Sequence, residues 1–226
     1  MADNTVCAVD LGTHKIVALI GDISPEGLRI TGVGKTSVNA VNSRGTITNI
    51  EELRTKVELA VEEAEKMADV QVNTVYVNLF GDNVECFMTR GTVTVSSPDV
   101  GVQSDDLSRV LSDVKNNFLL KDEHEIVHIL ARNFIVDEMT GIKDPIGIKG
   151  SRLEAEVYVV TALRSLLSNI ESVIENSGFE LGDFVYEPLA ASEAVLSVDE
   201  KKLGAAVIDI GGAYTNVCVY KNGTIL

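Results

Sequence analysis

Two short phrases of nearly the same composition stand near opposite ends of the chain: Val9-Asp10-Leu11-Gly12-Thr13 and Ile208-Asp209-Ile210-Gly211-Gly212. Each follows an apolar run and precedes another. That is the pattern of a β-hairpin whose first strand ends on a carboxylate and whose turn opens on glycine. Glycine there leaves backbone N–H groups free to wrap phosphate oxygens without a Cβ in the way, and the aspartate can hold a metal ion or its waters. Two such hairpins facing each other would grip a nucleotide phosphate tail from both sides.

Other residue types with chemical potential carry less. Cys7, Cys86 and Cys218 are odd in number, far apart and set among apolar residues, as buried strand thiols in a reducing compartment would be. His124 and His128 have a helical metal-ligand spacing, yet Ile126 to Val136 alternates like a strand and no cysteine or third histidine is near. A formal net charge of -15 argues against nucleic acid as a partner and against adhesion to anionic lipid through this segment. No apolar run reaches bilayer length, and the N-terminus lacks a basic region followed by an apolar one, so the expectation is a cytoplasmic chain. With 226 residues, 45% of them hydrophobic, there is enough chain for a substantial core.

The elements that must position the two phrases read as α/β. Strands are expected over Thr5–Asp10, Lys15–Gly21 and Leu28–Gly34, with Pro25-Glu26-Gly27 as turn chemistry. Asn49 and Glu52 resemble a capping box opening a helix to about Ala68, with Leu53, Val57, Ala60, Ala64 and Met67 on its apolar stripe. A strand over Val72–Phe80 follows, and the crossover leaves the helix on one face of the sheet. From Asp82 to Val160 the order changes to strand (Val84–Val95), helix capped by Ser104, and two strands (Ile126–Val136 and Leu153–Val160) around a Gly/Pro-rich loop, Thr140–Ser151. A helix over Arg164–Ser177 closed by Gly178, a strand over Leu181–Tyr186 and a short helix opened by Glu187-Pro188 resume the first pattern. The second hairpin begins at Leu203, and Asn222-Gly223 promises a tight turn before the sequence ends at Leu226.

A DxG hairpin, an EP-x-AA helix start (Glu187 to Ala191) and a DxGG hairpin, in that order, resemble the actin, DnaK-type chaperone and sugar kinase superfamily. Val6–Gly21, Ala64-Glu65-Lys66-Met67-Ala68, Lys121-Asp122-Glu123-His124 and Gly141-Ile142-Lys143-Asp144-Pro145-Ile146-Gly147 resemble the FtsA family of bacterial cell-division proteins, over essentially the whole chain. The resemblance implies an actin-like (ribonuclease H-like) domain with a mixed β-sheet flanked by helices. It is interrupted by a strand-helix-strand-strand insertion, and its second actin-like half is cut short. Residues 1–81 and 161–199 would form the first subdomain, 82–160 the insertion and 200–226 the start of the second.

By position, the family's first phosphate loop falls on Asp10, Gly12 and Thr13, and its second on Asp209, Gly211, Gly212 and Ala213. The implied ligand is ATP with Mg²⁺, met by Asp10 and Asp209 through water. Glu187 falls where relatives position an attacking water; a plain helix-start acid favoured by the macrodipole is the other reading. Lys15 could reach phosphate or simply face solvent from its strand. The family's second loop usually reads DxGGGT with a further acid, whereas Ala213, Tyr214 and Asn216 stand here. An added Cβ, an aromatic ring and a lost charge lead to the expectation of weak or absent hydrolysis.

The resemblance further implies an adaptor rather than an enzyme. Such a protein polymerises into filaments, tethers the FtsZ ring to the cytoplasmic face of the inner membrane and recruits later division proteins. Membrane attachment would use a C-terminal helix, and the FtsZ-contacting subdomain and much of the adenosine pocket would also lie beyond Leu226. A PilM-type pilus-assembly adaptor is the first alternative and a small-molecule kinase of the same superfamily the second. A chaperone ATPase would need a peptide-binding domain.

Overall fold

The structure, a computed structural model, describes residues 4–226. In chain order the elements are β1 (Thr5–Leu11), β2 (Lys15–Ser24), β3 (Gly27–Ser37), α1 (Ile50–Ala68), β4 (Thr74–Leu79), β5 (Val84–Thr94), α2 (Ser104–Asn117), β6 (His124–Val136), β7 (Met139–Ile142) and β8 (Arg152–Leu163). They continue with α3 (Arg164–Asn176), β9 (Glu180–Tyr186), α4 (Glu187–Val195), α5 (Val198–Leu203), β10 (Ala205–Ile210), β11 (Thr215–Lys221) and β12 (Thr224–Ile225). The chain divides into two compact units. One takes the chain to Val84, Leu163–Ser197 and Ala205–Val219; the other takes Glu85–Ala162, Val198–Gly204 and Tyr220–Leu226.

The first unit is built on a five-stranded mixed sheet of order β3-β2-β1-β4-β9. β1, β2 and β3 form an antiparallel meander, while β4, reached from β3 through α1, runs parallel to β1, and β9, entered from α3, runs parallel to β4. Helix α1 starts where Asn49 accepts the amide of Glu52 at 3.0 Å. The carboxylate of Glu52 does not close a capping box but turns to the Asn39 amide at 3.0 Å, pinning the preceding loop.

α1 buries Leu53, Val57, Ala60, Val61 and Ala64. Met67, expected on that stripe, is 61% exposed. The reason lies in β3. A Cβ on Gly34 would stand 1.8 Å from the Ala60 carbonyl oxygen, and one on Gly32 would stand 2.2 Å from that of Ala64 and 2.9 Å from the Cβ of Ala68. The helix therefore lies directly on the strand along its alanines, which turns the Met67 side chain outward.

The second unit carries a four-stranded sheet of order β5-β8-β6-β7. α2 packs Val110 and Val114 against Leu153, Val157 and Phe134. The loop expected over Thr140–Ser151 contributes an additional strand, β7, paired antiparallel with β6. Ser104 is the first residue of α2, and its cap is Gln103. Asp106, three residues on, accepts the Gln103 amide at 2.9 Å, so the cap is closed from the helix side. Helix α5 had no signal strong enough to be expected.

Cys7 and Cys218 are buried and Cys86 is half-buried, and none of the three is in a disulfide. Burial, with Glu65 nearby, pushes the Cys7 thiol up to about 12, which removes its reactivity at ordinary pH. His124 and His128 both lie on β6, so the helical spacing that would have aimed them together is absent.

Candidate functional site

The two sequence phrases fold into turns of one design. Asp10 and Asp209 are the next-to-last residues of β1 and β10. Just beyond them the Gly12 amide donates to the Lys15 carbonyl at 3.0 Å, and the Gly211 amide donates to the Tyr214 carbonyl, also at 3.0 Å. Each hairpin therefore closes three residues past its glycine. A side chain on Gly12 would sit 2.8 Å from the carbonyl oxygen that its own amide bonds, so the tight turn excludes a Cβ as well as requiring a donor.

The two turns meet. A Cβ on Gly212 would lie 2.2 Å from Cδ2 of His14, so the imidazole at the tip of the first turn rests on the bare backbone of the second. Asp10, Gly12, Thr13, Lys15, Glu187, Asp209, Gly211 and Gly212 all line one cleft of about 280 Å³, joined by His14, Ile210 and Tyr214. Ala213 is exposed and is not among the lining residues. Thr13 is buried, so its side chain anchors the turn from below. Asp10, Glu187 and Asp209 also border a second hollow of about 360 Å³, lined largely by Ala8, Ala190, Ala191, Ala194 and Val185. The three carboxyls thus stand between a polar cleft and an apolar one.

Glu187 is the first residue of α4, directly after β9, and Pro188 occupies a tolerated early position. Its carboxylate accepts the Tyr214 phenol at 3.0 Å and Nδ2 of Asn78 at 3.3 Å. Desolvation raises the Glu187 carboxyl to about 7; the Tyr214 hydrogen bond opposes this, while Asp10 and Asp209 repel the charge and add to it. Asp10 also sits above its ordinary range, first because the surrounding protein displaces water, with Asp209 adding to the shift and Lys15 opposing it. The Tyr214 hydroxyl is raised too, by burial and then by the Glu187 charge.

Two residues that the sequence did not single out organise this cluster. Asn78, near the end of β4, accepts the Leu11 amide at 2.7 Å and donates to Asp10 at 2.9 Å. His14 joins the turns. Neither has a signal in a single sequence, since an asparagine on an alternating strand and a histidine in a turn are ordinary. Tyr214, noted only as a departure from a family pattern, is the third: its ring stacks on Phe80 with centroids 5.1 Å apart and planes 12° from parallel.

The donor set is hard oxygen, which suits Mg²⁺ rather than a transition metal. Among the described residues, no three His, Cys, Asp or Glu side chains are grouped to ligate a metal directly. No helix among the described residues is long and apolar enough to cross a membrane.

Comparison with known proteins agrees with this frame. The model of the SHS2 domain inserted in FtsA matches residues 81–161. The cell division protein FtsA of Pseudomonas aeruginosa is 33% identical over 97% of this chain and 52% of its own length, and that of Escherichia coli strain K12 is 32% identical over the same shares. The chain thus spans about half the length of the curated relatives it matches. Among solved structures, the PilM-PilN type IV pilus biogenesis complex aligns with a TM-score of 0.70 over 98% of this chain and 59% of that one, at 12% identity, which speaks for the fold alone. The fold is actin-like, and the chain is similar to FtsA along nearly its whole length, with residues 81–161 matching the SHS2 domain inserted in FtsA.

Proposed function

We propose that this chain is the phosphate-gripping part of an actin-like cell-division adaptor, binding ATP with Mg²⁺ between its two glycine turns and turning it over weakly or not at all. The observation that supports the reading best is the convergence of Asp10 and Asp209 with Glu187 in one cleft, although 198 positions (209 − 10 − 1) separate the two aspartates in sequence. Amides of the Gly12 and Gly211 turns would face phosphate oxygens, and Lys15 would offset part of their charge. Asp10 and Asp209 would hold the waters of the cation, whose chemistry is to neutralise the phosphates. Residues 82–160 would be the inserted subdomain, 1–81 with 161–199 the first subdomain, and 200–226 the start of the second.

The adaptor role follows the FtsA relatives. It comprises self-association into filaments, tethering of the FtsZ ring at the cytoplasmic face of the inner membrane, and recruitment of later division proteins. A PilM-type role has the fold likeness in its favour, but the sequence likeness runs to the cell-division proteins. A backbone NMR titration with Mg-ATP tests the nucleotide reading. Shifts at Gly12 and Gly211 that are lost in Asp10→Asn and Asp209→Asn support it, and their absence in a protein carrying the full length of its relatives refutes it. Co-sedimentation with FtsZ polymers, in a protein carrying the full length of its relatives, tests the adaptor reading; no co-sedimentation rejects it.

A further inference from the structure

Glu187 is held in the cleft by donors from two directions, and its carboxyl also shares a side-chain hydrogen bond with Asp209. Asn78 approaches it from β4 and Tyr214 from the second hairpin, and both bond the same oxygen, Oε2. Tyr214 is not a loose surface ring. Its face lies on Phe80, which is only 5% exposed. Phe80 is itself held from behind: its neighbour Gly81 packs against Gly45, where a Cβ would lie 3.0 Å from the Gly45 Cα. The ring of Tyr214 therefore has a rigid seat, and its hydroxyl is delivered to Glu187 from a fixed direction.

We propose that Tyr214 is a positioning residue that caps Glu187, withholding its carboxylate from water and from any phosphate in the cleft until the phenol leaves its seat on Phe80. The inference rests on the nucleotide reading of the cleft and gives a structural cause for weak turnover. In the reaction that Tyr214 holds back, a water oxygen bonds the terminal phosphorus of ATP, the bond to the bridging oxygen of the departing ADP breaks, and a water proton passes to Glu187. With Oε2 already accepting two hydrogen bonds, the lone pairs of that oxygen are occupied. A small hydroxyl residue at 214 could neither stack on Phe80 nor reach Glu187 in this way.

The test uses Tyr214→Phe, which keeps the stack and loses the hydroxyl, with circular dichroism confirming the fold. Its first readout needs no nucleotide: coupling of carboxyls to an amine by a water-soluble carbodiimide, mapped by mass spectrometry. Labelling of Glu187 is expected to rise about tenfold or more over the unsubstituted chain, the scale of losing one hydrogen bond to a charged group, while labelling of the exposed Glu123 stays constant. Equal labelling of Glu187 in both proteins overturns the proposal. The second readout is Mg-ATP turnover, expected to increase in Tyr214→Phe with an unchanged half-saturating concentration and to disappear again when Glu187→Gln is added. ATP bound by both proteins with equal turnover also overturns it. Failure of a protein carrying the full length of its relatives to bind Mg-ATP instead rejects the nucleotide reading, and the labelling result alone then decides whether Tyr214 caps Glu187.

Discussion

Asn78 clasps the end of the first strand through Asp10: its amide nitrogen donates to the Asp10 carboxylate at 2.9 Å while its amide oxygen accepts the Leu11 backbone N–H at 2.7 Å. One side chain thus fixes both the last residue of the strand and the acid just before it. Asn78→Ala removes these two bonds together with the one to Glu187 and is expected to destabilise the first unit by about 1–3 kcal/mol. Asn78→Asp keeps the acceptor for Leu11 but adds a fourth carboxyl to the cluster. Urea unfolding curves should therefore show a larger deficit for Asn78→Asp at pH 8 than at pH 5.

Glu187 makes stability pH-dependent in a specific direction. Its carboxyl ordinarily titrates near 4.5 and is raised to about 7 in the fold, chiefly by burial. Because the folded chain holds this proton more tightly than the unfolded one, the contribution is fully present below about pH 4.5 and is lost as pH rises through 7. Glu187→Gln removes the titration. The fall in unfolding midpoint between pH 5 and pH 8 should be smaller in Glu187→Gln than in the unsubstituted chain. An equal fall in both would assign the pH dependence to other groups.

Much of this fold was legible because local signals and tertiary demands agree. The Asp-x-Gly phrases, the Asn49 cap and the run from Arg164 to Gly178 each combine a hydrophobic period with a residue that can end or begin an element. The convergence of Asp10 with Asp209 followed from the repeat. What escaped notice was set by contacts across the chain. Met67 satisfies helical spacing, yet Gly32 and Gly34 draw α1 onto its alanines instead. Ser104 has the right chemistry for a cap, but Asp106 reaches back to Gln103 first. β7 lies in a segment whose glycines and proline announce a loop, and its pairing with β6 is long-range information. Asn78 and the His14–Gly212 contact exist only once the strands are assembled.

Asp106 is the buried acid of the second unit. Burial alone would raise its carboxyl, but amides of Gln103 and Ser96, the Ser96 hydroxyl and the Arg109 guanidinium outweigh it and hold the group down at about 2. The folded chain thus binds this proton less readily than the unfolded one, so its stabilisation is present above about pH 4 and is lost as pH falls through 2. Asp106→Ala strands those donors and should cost on the order of 3 kcal/mol at pH 7. Asp106→Asn can accept only part of the set and should cost less. Chemical denaturation followed by NMR signals of β6 and β8 reads the effect on this unit directly.

The close seat of α1 on β3 gives the sharpest mechanical prediction. At Gly34 a methyl group would overlap the Ala60 carbonyl oxygen at 1.8 Å, and both partners are backbone-positioned, so relief requires the helix to lift from the sheet. Gly178 presents the opposite case: a Cβ there meets nothing within 4 Å, but the residue ends α3 with φ of +86°. Gly178→Ala should therefore cost only about 1 kcal/mol, the usual penalty of a left-handed conformation for a side chain. Gly34→Ala should cost several times that, on the order of 3 kcal/mol or more, as overpacking against a rigid element does. Thermal unfolding of the two variants side by side separates the mechanisms. A Gly34→Ala chain that melts with or above Gly178→Ala would mean that α1 is free to move off its strand, and the explanation for the outward turn of Met67 would go with it.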